Sequence, residues 1–198
     1  MTDMQPPGWD GDSLSKYFRD AEYNERVTAI NYPEVFRLLR FVQATFELVE
    51  EAIESARGPA RPLPQFLLVR AHSAFLASVR LAMSGQSFEA QVVLRSGIES
   101  AWYALHMATD PVPGARAEVW LRRNDDDEAT TMCRNEFTVA KVRASHEAVD
   151  PQGATDLQWL YETLIDFGAH PNQRGVLASV IRVEDEIKID NQVGILQP

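Results

Sequence analysis

The segment FEAQVVLRSGIESAWYALHMAT, residues 88–109, is apolar around almost its whole circumference. At about 100° per residue, Val92, Leu94, Ile98, Ala101, Tyr103, Leu105 and Met107 surround most of a helix axis. Gln91, Arg95, Glu99, Trp102 and His106 fall within a sector of about 80°. A surface helix shows a wide polar face, so a stripe this narrow predicts a central helix with neighbours on most sides.

The rest of the chain supplies neighbours. Residues 1–30 are rich in Gly, Pro and Asp at the start, with a short amphipathic piece at Leu14–Tyr23, and read as an N-terminal arm. A long helix begins near Pro33, where Asn31 and Glu34 have capping-box spacing. Its apolar face is Val35, Leu38, Leu39, Val42, Phe46, Val49 and Ile53. The proline-rich segment 56–64 is a loop, and a second helix over 64–84 buries Leu68, Phe75, Leu76, Val79 and Met83 before Gly85 stops it. Beyond residue 109, helices are predicted at 115–123, 124–149 and 155–169. Residues 180–190 alternate imperfectly and suggest a small β-hairpin turning at Asn191–Gly194. The prediction is an all-α single domain, a bundle of five to seven helices over 31–178, with a C-terminal hairpin or tail at 179–198.

Composition narrows the function classes. A net charge of −10 disfavours a general grip on nucleic acid, although residues 60–123 carry 7 basic and 4 acidic side chains. Cys133 is the single cysteine, which rules out an internal disulfide and fits a reducing compartment. The first thirty residues hold no apolar signal core, and 88–109, interrupted by charge, comes closest to a membrane span. A cytoplasmic protein with no membrane association is expected.

Two polar stripes could carry chemistry. In the first, Glu99 would act as base or metal ligand, His106 as ligand or base and Arg95 as an anion clamp. The structural alternative is a network fixing helix register, with Arg95 and Glu99 mostly buried and Glu99→Ala costing about 3 kcal/mol. In the second, Glu162, Asp166 and His170 stand at i, i+4 and i+8 and could hold a divalent ion with open positions. Zinc-hydrolase and di-iron spacings are absent, so no cofactor is predicted and a divalent metal is left open. Arg95, Glu99, His106 and His170 are therefore the catalytic candidates, and Glu162, Asp166 and His170 the metal candidates. His72 sits on an apolar helix face, where a hydrogen-bonded core role is the simpler expectation. Asp125–Glu128 lacks the spacing of a calcium loop and suits a first helical turn.

Three segments, RLAMSGQSFEAQVVLRSGIESAWYALHM (80–107), EVWLRRNDDDEATTMCRNEFTV (118–139) and LYETLIDFGAHPNQR (160–174), resemble a family of uncharacterised bacterial all-helical proteins known as a domain of unknown function. The resemblance implies a helical bundle and no established activity. That family is in turn similar to HEPN helical domains, many of them RNases using an Arg followed, four to six residues on, by a His. Here Arg143 and His146 are closer than that, and Arg95 and His106 farther apart.

Two functions from different classes follow: a non-enzymatic interaction module, or a pocket protein (a hydrolase, an RNase-like enzyme or a small-ligand binder) using Arg95, Glu99, His106 and His170. A homodimer is expected in either case, because Ile187, Ile189, Val193, Ile195 and Leu196 would form an apolar hairpin with an open edge. An unknown protein partner remains compatible with the first reading.

Overall fold

A computed structural model describes residues 6–9, 11–55, 62–169, 180–183 and 186–189. Asp12 starts α1 (Ser13–Asn31), its carboxylate accepting the N–H groups of Leu14 at 2.8 Å and Ser15 at 3.0 Å. The helix runs well past the short piece expected from sequence. Its far half docks on the end of α3 (Pro62–Met83): Asn24 Nδ2 donates to the Ser84 carbonyl (3.3 Å) and Thr28 Oγ1 to that of Met83 (2.9 Å). These are carbonyls that a helix end leaves without partners. Only Tyr32 separates α1 from α2 (Pro33–Ser55), and its carbonyl accepts the Phe36 N–H at 3.0 Å. Tyr32 thus holds the cap position expected of Asn31, which instead closes α1.

Gly85 stops α3 as predicted. It adopts φ +96°, and the N–H groups of Gly85 and Gln86 return to the carbonyls of Ala82 (3.1 Å) and Leu81 (2.8 Å), a Schellman closure. The chain reverses into α4 (Ser87–Ala108), against which α3 makes its most extensive contact. A Cβ built on Gly97 would meet Ala74 Cβ at 3.0 Å and the Ala71 carbonyl at 3.4 Å, so small residues hold the two helices close. The face of α3 on this contact contains Leu67, Ala71 and Ser78, all buried, whereas Leu76, expected inside, is 47% exposed.

After α5 (Ala115–Leu121) and a short 3-10 turn at Arg122–Asn124, the helix expected over 124–149 is two: α6 (Asp127–Glu136) and α7 (Val139–Glu147). Phe137 turns into the core beside Tyr103, and Thr138 caps α7 by accepting the Lys141 N–H at 3.3 Å. The last helix, α8 (Pro151–Leu164), begins earlier than expected: Asp150 accepts the Gly153 N–H at 2.9 Å, and Pro151 fills the first turn. A π-helical turn, Ile165–Ala169, follows and packs on α4. Strands β1 (Val180–Val183) and β2 (Glu186–Ile189) pair antiparallel, with Val180 opposite Ile189 and Val183 opposite Glu186. The turn expected at Asn191–Gly194 lies outside the described residues.

The all-α fold is the one the sequence predicts, with eight α-helices among the described residues because the arm is helical and 124–149 is broken. The core gathers Leu67, Ile98, Trp102, Met107, Val142 and Tyr161 around α4. By length and composition α3, not 88–109, is the described helix apolar enough to cross a membrane, an 18-residue window within Leu63–Met83 having a mean hydropathy of 1.4; here it lies along α4. Gly97→Val should destabilise the protein by about 3 kcal/mol through overpacking at this contact. An unchanged urea midpoint would show that α3 and α4 do not meet there.

Candidate functional site: the polar stripe of the central helix

The stripe on α4 divides into two clusters with Trp102 between them. Toward the N-terminal half, Arg95 Nε donates to Glu99 Oε1 at 3.0 Å, and Tyr161 Oη of α8 donates to the same oxygen at 2.7 Å. The Arg95 guanidinium also lies 5.5 Å from the centre of the Tyr161 ring. Burial pushes the Tyr161 hydroxyl up, and its bond to Glu99 adds to the shift. The two charged side chains are not buried as expected: Arg95 is 28% and Glu99 42% exposed.

Trp102, almost fully buried, packs against Tyr161 at 4.9 Å between ring centres and donates its indole N–H to His146 Nδ1 at 3.3 Å. The stripe therefore reaches α8 on one side and α7 on the other.

His106 occupies the second cluster and is 1% exposed. Its Nε2 lies 3.2 Å from Glu136 Oε1 on α6, and its Nδ1 lies 2.7 Å from Ser145 Oγ on α7. A carboxylate only accepts, so the neutral ring donates from Nε2 and receives the Ser145 hydroxyl proton on Nδ1. Burial holds His106 below the ordinary histidine range, and the neighbouring Arg116 charge lowers it further, against the opposing pull of Glu136. Burial pushes the Glu136 carboxyl up, but Lys141 Nζ at 2.9 Å and the His106 bond outweigh it and leave the group below its usual range. Arg116 Nε adds a third contact to Glu136 at 3.1 Å, while its Nη1 donates to the His106 carbonyl at 2.6 Å. Asp110 completes the fastening by accepting the Arg116 backbone N–H at 2.8 Å. The buried imidazole thus ties α4 to α6 and α7, and Arg116 adds α5, beside an open cleft of about 500 Å³ lined by His106, Arg116, Glu136, Lys141 and Ser145.

Glu162 and Asp166, the other described candidates, do not join this cluster. Glu162 is exposed on α8 and accepts from Gln158 Nε2 at 2.6 Å; Asp166 is exposed in the π turn; His170 lies outside the described residues. Among the described residues no three His, Cys, Asp or Glu side chains come close enough to hold a metal ion. His72 bridges α3 to α2, bonded to Glu50 Oε1 (2.8 Å) and Gln43 Oε1 (2.7 Å) and stacked on Phe46 at 4.6 Å, the hydrogen-bonded role expected of it. In the acidic run, Asp126 caps α6 by accepting the Ala129 N–H at 2.7 Å. Cys133 is buried in the core, which pushes its thiol up. Arg116, Glu136, Lys141, Ser145 and Tyr161 carry no spacing signal in the sequence, because each cluster is assembled from separate helices. The chain matches no family model, no curated protein and no solved structure.

Two predictions follow from the clusters. Partial exposure of the Arg95–Glu99 pair lowers the expected cost of Glu99→Ala to about 1–2 kcal/mol, mostly from the lost Tyr161 bond; chemical denaturation reads it. For His106, a base kept neutral in the fold stabilises fully above its unfolded value, about 6.5, and that stabilisation is lost as pH falls through the range below it. The melting temperature of the native protein should therefore drop more steeply from about pH 7 to about pH 5.5 than that of His106→Asn, which keeps a donor and an acceptor without the titration. Parallel curves would remove His106 from the linkage.

Proposed function

We propose that this chain is a non-enzymatic interaction module of the cytoplasm that presents an apolar helix surface to a protein partner. The observation that carries the reading is α2. Leu38 is 61%, Phe41 70% and Leu48 66% exposed, on a helix that touches α3 through its opposite flank. Contiguous apolar surface of this kind marks an interaction site on a folded protein. The polar groups that could have served catalysis are engaged with one another: Arg95 and Glu99 hold Tyr161, and His106 has both ring nitrogens bonded. A buried single thiol suits a reducing compartment, and a helical module agrees with the resemblance to uncharacterised bacterial helical proteins.

One observation favours a second reading, a HEPN-like hydrolase or small-ligand pocket. Ser145, His106 and Glu136 form a hydrogen-bonded row at the edge of the cleft, with Arg116 and Lys141 beside it. Under that reading a short RNA or inorganic phosphate raises the melting temperature of the native protein, and Lys141→Met abolishes the rise.

The test of the interaction module is the accessibility of α2 in the dilute protein. Cysteines introduced singly at Leu38, Phe41 and Leu48 should react with a maleimide nearly as fast as in a short peptide, while the buried Cys133 stays silent. Protection at all three positions in protein dilute enough to have the mass of one chain would mean that the chain covers this face itself, and the reading would be lost.

A further inference from the structure

Within the interaction reading, on which this step rests, the register of α2 identifies the occupant. Leu39, Val42, Phe46 and Ile53 are half-buried on the flank that carries Gln43 and Glu50 to His72. A second seam runs beside it: Leu38, Phe41, Thr45, Leu48 and Ala52, spaced three, four, three and four residues apart, all exposed. That is the a/d repeat of a coiled-coil helix. Thr45 does not interrupt it, since its hydroxyl already donates to the Phe41 carbonyl at 3.0 Å.

The flanking charges fix the orientation. Arg37 and Glu51 lie on the same edge of this seam, seven residues before and seven after Ala44. When two α2 helices cross antiparallel about a two-fold axis near Gln43 and Ala44, Arg37 of each copy meets Glu51 of the other, twice per dimer. In that register Leu38 faces Leu48 of the second copy, Phe41 faces Thr45, and Val42 meets its own equivalent on the other edge. Phe41, the largest side chain of the seam, thus opposes the smaller Thr45, as interdigitating layers require. A parallel pairing would set Phe41 on Phe41 and place Arg37 beside Val42, leaving the charges unmatched. In the single chain Arg37 pairs with Glu34 at the surface, an exposed i, i+3 contact that is easily exchanged.

We infer that α2 is the interface of a two-fold homodimer, an antiparallel α2–α2 seam flanked by reciprocal Arg37–Glu51 pairs. Such an isologous interface closes on itself and leaves no open end. The cleft beside His106 is not lined by α2 and stays open in the dimer's subunits.

Light scattering on the full chain at tens of micromolar should give twice 22.3 kDa. Phe41→Glu combined with Leu48→Glu should return the mass to one chain with the helical circular dichroism kept. Arg37→Glu and Glu51→Arg should each raise the dimer dissociation constant by about tenfold through two like-charge contacts, and the double reversal should restore it. Only the antiparallel register produces that rescue. A one-chain mass in the native protein overturns the dimer. If its α2 cysteines then label fast, the partner is another protein and the interaction reading survives; if they are protected, both fall. A doubled mass that persists in Phe41→Glu/Leu48→Glu places the interface elsewhere. Single-chain protein that co-sediments with phosphatidylcholine vesicles, and loses this on the same double substitution, assigns the face to lipid and overturns the inference.

Discussion

The fold depends on how near α3 comes to α4. At Gly97 the distance is set by Ala71 and Ala74, and no larger side chain fits without moving a backbone. Because small residues occupy this contact, the bulky side chains of α4 are left for its other faces. Trp102 and Met107 can then meet α7, α8 and the π turn. A helix apolar almost all round is stable in water only when such neighbours are present on each side, and the glycine contact provides the first of them.

The second cluster shows how a buried histidine is held between helices. Placing an imidazole in an apolar interior disfavours its charged form. Here the neutral ring is matched by one donor and one acceptor from different helices, and Arg116 and Lys141 compensate the carboxylate that receives its proton bond. The same groups cap the end of α4, where Arg116 serves the His106 carbonyl and Thr109 Oγ1 donates to that of Leu105 at 2.8 Å. Helix termination and core assembly are a single arrangement at this point, so a change to either is felt in both.

Much of this was legible in the sequence, and the failures have physical causes. The narrow polar stripe predicted the central position of α4, and Gly85 predicted the reversal before it. The break at Phe137–Thr138 had only a weak local signal, the low helix propensity of Asn135, Phe137, Thr138 and Val139 and the capping preference of Thr138; burial of Phe137 against Tyr103 and His106 decides it. Of the face expected inside on α3 only Leu76 is exposed; Leu68, Phe75, Val79 and Met83 are half-buried, and the contact with α4 missed from the sequence runs along Leu67, Ala71, Ala74 and Ser78, because periodicity rewards large apolar residues over alanine and serine. On α2 the sequence offered one broad apolar face, and only the exposure of Leu38, Phe41 and Leu48 separates it into two seams. As for the site, Arg95, Glu99 and His106 were found together on one helix. Their division between two clusters follows from Tyr161, Ser145 and Glu136, which lie from 30 to 62 residues away along the chain.

The single-residue link at Tyr32 gives the N-terminal third of the chain a behaviour of its own. Helices α1 and α2 share no loop long enough to let one swing without the other, and they rest on α3 through Asn24 and Thr28 at one end and through His72 and Phe46 at the other. Beneath them, α3 and α4 form a hairpin of neighbouring segments, whose local contacts close with little loss of chain entropy. With far less contact on α3 than α4 has, the paired α1–α2 arm is the part of the fold expected to open first, and as one unit.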